Sequence, residues 1–260
     1  MKYPELRLHR EDWRITRRDV TRHLIQGIPL GLQFSVLAIG IIVMQSVIVQ
    51  FDTLGGEMVS NAAQNGFGAA NKLNNLLMTP LNGLGAAMTS FTAQNLGAGD
   101  HARIKKGTVQ ALIIVWTMCL ISIAAGLLLS RGGGYLYIFL SPDKVTAETM
   151  RYGNTYLYVD LSLYLFLGFI FVVRNCVQGI GKPQFVLGAG AAELAARVSV
   201  CLLLPPLIAG GAVNSDAPRA AVYALCFADP FAWMAADAVL LVPFLRNIMK
   251  MDYRYLKGTM

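Results

Sequence analysis

No Asp, Glu, Lys or Arg falls between Arg22 and Asp52, or between Lys106 and Arg131. A helix needs about 20 mostly apolar residues to cross the hydrocarbon of a bilayer, and each of these runs is long enough. The rest of the chain agrees. Hydrophobic residues make up 55% of it and charged residues only 14%, where soluble domains carry about 25% charged residues. The pattern predicts an all-α membrane protein.

Six spans are expected, at roughly 24–51, 58–95, 107–130, 146–179, 184–210 and 219–246. The second is too long for one straight crossing at about 1.5 Å per residue. Pro80 and the glycines near it therefore predict a bent helix with an extramembrane start. The tract YLYIFLS at 135–141 is too short to span and is expected at the interface, where tyrosines collect. Residues 1–23 mix charges with Leu6, Leu8, Trp13, Ile15 and Val20 and read as an amphipathic cytoplasmic linker. Residues 24–250 then form the six-helix lobe, and 251–260 a cytoplasmic tail.

Charge placement orients the bundle. With the N-terminus inside, fifteen of the 22 Lys and Arg residues fall in inner segments, among them Arg103, Lys105, Lys106, Lys182 and Arg246. Arg131, Lys144, Arg151 and Arg219 fall outside. The positive-inside rule then places both termini in the cytoplasm of a multi-pass cell-membrane protein, with HARIKK (101–106) as an inner loop. The same rule accounts for the net charge of +7 without nucleic acid, for which the chain has no recognisable motif. Cys119, Cys176, Cys201 and Cys226 each stand alone in an apolar segment and read as small hydrophobes, with no disulfide or metal site expected. Metallopeptidase, nucleophile-elbow, Walker and dinucleotide motifs are absent from the sequence. The SPDK tetrapeptide at 141–144 fits S-x-x-K only by chance. The chain reads as a non-enzyme with no cofactor.

Several blocks, in order and spacing, closely resemble the C-terminal half of multidrug and toxic compound extrusion (MATE) transporters. They are GIPLGLQFS (27–35), PLNGLGAAMTSFTAQNLGAGDHARIKKG (80–107), IFLSPDKV (138–145), and VQGIGKPQ followed by ELAAR (177–197). The resemblance implies one six-helix lobe of a twelve-helix transporter whose lobes face each other across a central cleft. It further implies export of amphipathic organic cations in exchange for H⁺ or Na⁺, and a partner that is a matching N-terminal lobe or a second copy. Some family members carry a coupling carboxylate in the first helix of this lobe, and residues 24–51 hold none. Lobes of the related lipid-linked oligosaccharide flippases share the plan and often carry cleft arginines, so Arg174 and Arg197 leave that reading open. A non-transporting membrane fragment or interaction module is the third.

Charges inside a membrane face a cavity or a partner, because each is costly in lipid. Glu193 and Arg197 stand four apart on one helix face, acid before base, and Arg174 on the preceding span reaches a similar depth. The three predict an ion-pair cluster, either a static clamp or a switch. Asp160, among aromatics in NTYLYVDLSLYLF, is either a protonation and cation site or an outer-interface carboxylate. Asp229 precedes Pro230 and is either a further ion-pair candidate or a structural carboxylate that bonds backbone freed by the proline. Asp237 lies eight residues on, along nearly the same face. Lys72 either snorkels outward or faces the cleft. Unpaired amides are costly in lipid, so Gln33 and Asn71 are cleft candidates, whereas Gln94, Asn95 and Gln178 are expected to cap helix ends. Gly27 and Gly31 form a G-x-x-x-G contact motif.

Overall fold

The computed structural model describes residues 15–250. The leader before Ile15 and the tail 251–260 lie outside the described residues. Nine α-helices are seen among them: α1 (Arg17–Gln50), α2 (Ala62–Gly97), α3 (His101–Ser130), α4 (Leu136–Phe139), α5 (Ala147–Ser162), α6 (Tyr164–Gly179), α7 (Pro183–Ala209), α8 (Arg219–Cys226) and α9 (Ala228–Pro243). A π-helical turn, Phe244–Met249, extends α9. α1, α3, α7 and the α8–α9 run are each long and apolar enough to cross a membrane, and so are α5 and α6 taken together, with a bend of 57° at their break. α2, at 36 residues, has the length for a sixth, but the amides along one face dilute its apolarity.

Local chemistry sets the helix ends. Thr16 and Asp19 form a capping box at the start of α1, with Asp19 N donating to Thr16 Oγ1 at 3.3 Å and Thr16 N to Asp19 Oδ2 at 3.1 Å. Since α1 begins at Arg17, residues 17–23 belong to the same helix as the first span. Gly55 and Gly56 take positive φ and close a two-residue antiparallel hairpin, Thr53–Leu54 with Glu57–Met58. That hairpin is a small exception to the expected all-helical fold. The fully buried Asp52 before it accepts from Ala63 N at 3.0 Å and Gln64 N at 2.9 Å, filling the N-terminus of α2 with negative charge.

One expectation about loops needs correcting. HARIKK is not a loop: α3 starts at His101, capped by the Asp100 side chain on Arg103 N at 2.9 Å, and the turn is confined to 98–100 with Gly99 at φ +72°. The YLYIFLS tract is too short to span, as expected, and is half embedded in the bundle. Tyr135 and Leu136 are fully buried while Tyr137 and Ile138 are exposed, so the short α4 is pinned by one edge. The sixth span also differs from a continuous helix. α8 stops at Cys226, four residues before Pro230, where the proline ring clashes with the preceding turn's carbonyl.

The helices fall into two packed groups. α2 packs on α3, α5 and α6, while α7 packs on α1, α8 and α9; α6 and α9 join the groups. α3 fastens the start of α6 through Trp116 Nε1, which donates to Leu165 O at 3.2 Å. The four cysteines are buried. α1 and α2 follow one another in sequence yet belong to different groups, and the space between them is where the polar residues meet.

Candidate functional site

One buried polar chain links five helices. Arg174 Nη2 on α6 donates to Glu193 Oε2 on α7 at 2.7 Å. The other oxygen of Glu193 accepts from Arg197 Nη2 at 3.4 Å. Arg197 then reaches α9, with Nη2 2.6 Å and Nε 2.8 Å from Asp229 Oδ1. Asp229 Oδ2 accepts from Tyr156 Oη on α5 at 2.8 Å, and the same hydroxyl accepts from Asn71 Nδ2 on α2 at 3.3 Å. Glu193 and Arg197 are each 5% exposed and Asp229 8%, so these are desolvated contacts rather than surface pairs.

Glycines let the helices close around this chain. A Cβ on Gly40 of α1 would lie 3.0 Å from Arg197 Nη1 and 3.1 Å from its Cδ. The guanidinium is therefore laid against bare α1 backbone. A Cβ on Gly190 of α7 would come 3.1 Å from Gln33 Cγ, which seats Gln33, 3% exposed, at the α1–α7 seam.

Beside the chain lies a cavity of about 400 Å³. α1 lines one wall with Leu30, Gln33, Phe34, Leu37 and Ile41; α2 lines the other with Asn71, Asn74, Asn75, Met78 and Asn82. Both sets follow a helical repeat, so an apolar stripe faces an amide stripe. Arg174, Glu193, Arg197, Asp229 and Trp233 complete the lining. Every charge on this lining is ion-paired.

The sequence candidates divide on this geometry. Gln33 and Asn71 line the cavity. Asp160 does not. It is fully buried behind the wall, where Asn74 Nδ2 donates to its Oδ2 at 2.6 Å; its Oδ1 has no partner among the described residues. Its partner is thus a side-chain amide, where the outer-interface alternative expected backbone or water. Of the two readings of Asp229 the structure has the ion pair: its side chain serves Arg197 and Tyr156, not backbone freed by Pro230. Lys72 is not brought to the cavity. It lies one residue, about 100° of helix, past Asn71, is exposed, and sits over the Phe139 ring with Nζ 6.0 Å from the centroid. Gln178, expected only as a cap, also lines the cavity. Tyr156 and Trp233 were not singled out from sequence. Tyr156 had a usable signal, since it precedes Asp160 by four residues on one helix face.

A search of solved structures finds an outward-facing multidrug resistance MATE family transporter of the MOP superfamily, with a TM-score of 0.73 at 18% identity over 92% of this chain and 49% of that one. A MATE crystallised in complex with MaL6 gives a TM-score of 0.70 at 17% identity, over 92% of this chain and 49% of that one. At such identities the likeness shows the fold. A curated relative, Probable multidrug resistance protein YpnP of Bacillus subtilis (strain 168), is 30% identical over 174 residues, 62% of this chain and 33% of that protein. The chain thus spans about half the length of the solved structures and a third of the curated relative it matches. With the MatE family model matching residues 38–203, this multi-pass membrane protein belongs to the MatE family.

Proposed function

We propose that the chain is one lobe of a cation-coupled multidrug antiporter, exporting amphipathic organic cations in exchange for H⁺ or Na⁺ by alternating access with a second lobe. The cavity carries this reading: one wall is hydrocarbon apart from Gln33, the other mainly amide, and a buried ion-pair chain links the helices around it. An amphipathic ligand suits two such walls. The matching lobe, or a second copy of this chain, supplies the opposite side of the cleft. The uneven placement of Lys and Arg supports cytoplasmic termini, and labelling of an Arg103→Cys variant by a membrane-impermeant reagent from outside intact cells would overturn that orientation. Both cavity arginines are committed to carboxylates, which favours drug export over a pyrophosphate-holding flippase.

Asp160 is the coupling-ion candidate. It is fully buried, held by one amide, and has one oxygen without a partner. Expression in an efflux-deficient strain, with and without a first lobe, tests the function through accumulation of a fluorescent cationic dye. The expected result is lower dye with the partner lobe present; unchanged dye sinks the transport reading. Asp160→Asn is expected to abolish the dependence of export on external pH, and unaltered export across pH removes its role.

A further inference from the structure

Away from the central cavity, two arginines from different helices meet in one small pocket. Arg151 on α5 and Arg219 on α8 line it with Tyr152, Thr155, Val222 and Tyr223, around a volume of about 80 Å³. That is far below the roughly 300 Å³ at which pockets for drug-sized ligands begin, so the space suits one small polar group. Both arginines stand near the ends of membrane-crossing helices: the α8–α9 run starts at Arg219, and Arg151 lies in the second turn of α5. Arg151 Nη2 is 3.7 Å from the exposed Glu148 Oε1, and its guanidinium lies 5.3 Å from the Tyr152 ring centroid. Arg219 is exposed and has no ion pair among the described residues. With Glu148 counted, the guanidiniums exceed the carboxylates by one. α8 also starts at Arg219 without a side-chain cap, and an open helix N-terminus adds positive potential. Thr155 on the pocket wall is only 8% exposed, and its hydroxyl has no hydrogen-bond partner among the described residues. A buried hydroxyl without a partner is costly, so the pocket has a donor waiting for an acceptor.

An apolar track leads away from this pocket. Tyr223, Phe231 and Met234 are exposed and Phe227 is half-buried. They recur at three- and four-residue steps, which keeps them on one side of the α8–α9 run, and the Phe227 and Phe231 rings lie 5.8 Å apart. From Tyr223 to Met234 the track is about 16 Å long at 1.5 Å per residue, one leaflet's share of a hydrocarbon core about 30 Å thick. We propose that the pocket holds the phosphodiester of a membrane glycerophospholipid, with the acyl chains lying along Tyr223, Phe227, Phe231 and Met234. Planar guanidinium forks match phosphate oxygens, Thr155 donates a further hydrogen bond, and the single negative charge of a phosphodiester balances the one surplus guanidinium. The apolar track selects a lipid over free phosphate, which has no use for it. The bound lipid would fasten α5 to α8 at the membrane edge, on the outer leaflet if both termini are cytoplasmic. The proposal does not depend on transport.

The test titrates the full chain, purified in detergent, with three probes read by native mass spectrometry: phosphatidylglycerol, a diacylglycerol with the same chains, and inorganic phosphate. Phosphatidylglycerol is expected to bind, and the other two, which each lack half of the ligand, are expected not to. Arg151→Gln combined with Arg219→Gln should weaken phosphatidylglycerol binding by about tenfold or more, and each single variant should lose part of it. Both side chains are exposed, so the melting temperature without lipid should stay at the parent's value. Thr155→Val, which keeps the shape and removes the hydroxyl, should also weaken binding, while Arg131→Gln, an exposed arginine outside the pocket, should not. Diacylglycerol binding as tight as phosphatidylglycerol, or a loss in Arg131→Gln equal to that of the pocket variants, would reduce the lipid to ordinary bilayer contact and overturn the proposal. Inorganic phosphate that displaces the lipid at equal concentration would overturn the choice of a lipid. Because no readout needs transport, failure here leaves the transport reading where the dye assay puts it.

Discussion

Arg197 Nη2 lies 2.6 Å from Asp229 Oδ1, and Arg197 Nε donates to the same oxygen at 2.8 Å. The pair ties α7 to α9 where both residues are almost wholly buried. Removing one partner of such a pair strands a charge. Arg197→Met is expected to destabilise the protein by about 3–5 kcal/mol, read as a lowered thermal midpoint in detergent. Adding Asp229→Leu to it should recover part of that loss, because the stranded carboxylate goes too. A double variant as unstable as the sum of its singles would contradict this account of the pair.

Glycine packing gives a contrast between two sites. Gly66 on α2 meets Gly153 on α5 backbone to backbone: a Cβ on Gly66 would lie 2.8 Å from Gly153 N and also strike Thr149 O. Gly66→Ala must push the helices apart, at a cost of about 1–3 kcal/mol. Around Gly27 and Gly31 nothing lies within 4 Å of an added Cβ. Gly27→Ala and Gly31→Ala are therefore expected to be neutral or stabilising by up to about 1 kcal/mol, by helix propensity. Melting curves of the three variants, measured on this chain alone, decide it. A Gly66→Ala variant as stable as the parent would mean that α2 and α5 do not approach as described.

Particular residues show what the sequence disclosed. α1, α3, α7 and the α8–α9 run were legible because lipid forces long apolar runs, α2 by its length alone, and Glu193 with Arg197 because four-residue spacing puts them on one face. For Asp229 the neighbouring Pro230 suggested a local backbone role beside the ion-pair one, while its partners, Arg197 and Tyr156, lie 32 and 73 residues away in sequence. The G-x-x-x-G of Gly27 and Gly31 drew attention by its spacing. Gly66, Gly153, Gly40 and Gly190, which do permit close approach, have no such pattern, since close contact depends on what the other helix presents. Lys72 and Asn71 are adjacent in sequence but face different ways, and only the rotational setting of α2 tells them apart.

Tyr156 is where the amide wall of the cavity meets the ion-pair chain. Its hydroxyl donates to Asp229 Oδ2 at 2.8 Å and accepts from Asn71 Nδ2 at 3.3 Å, while its ring packs edge-on against Phe67 at 4.6 Å between centroids. Tyr156→Phe keeps the ring and deletes one oxygen. Asp229 Oδ2 then loses its donor while Oδ1 keeps Arg197, so the expected loss is about 1–3 kcal/mol, smaller than for Arg197→Met. Asn71→Ala leaves the hydroxyl's donation to Asp229 intact and should be milder. In the double variant Asn71→Ala adds little, because its partner is already gone. Thermal midpoints of the two single variants and the double form the cycle. If the two losses add in full, Tyr156 does not connect α2 to Asp229.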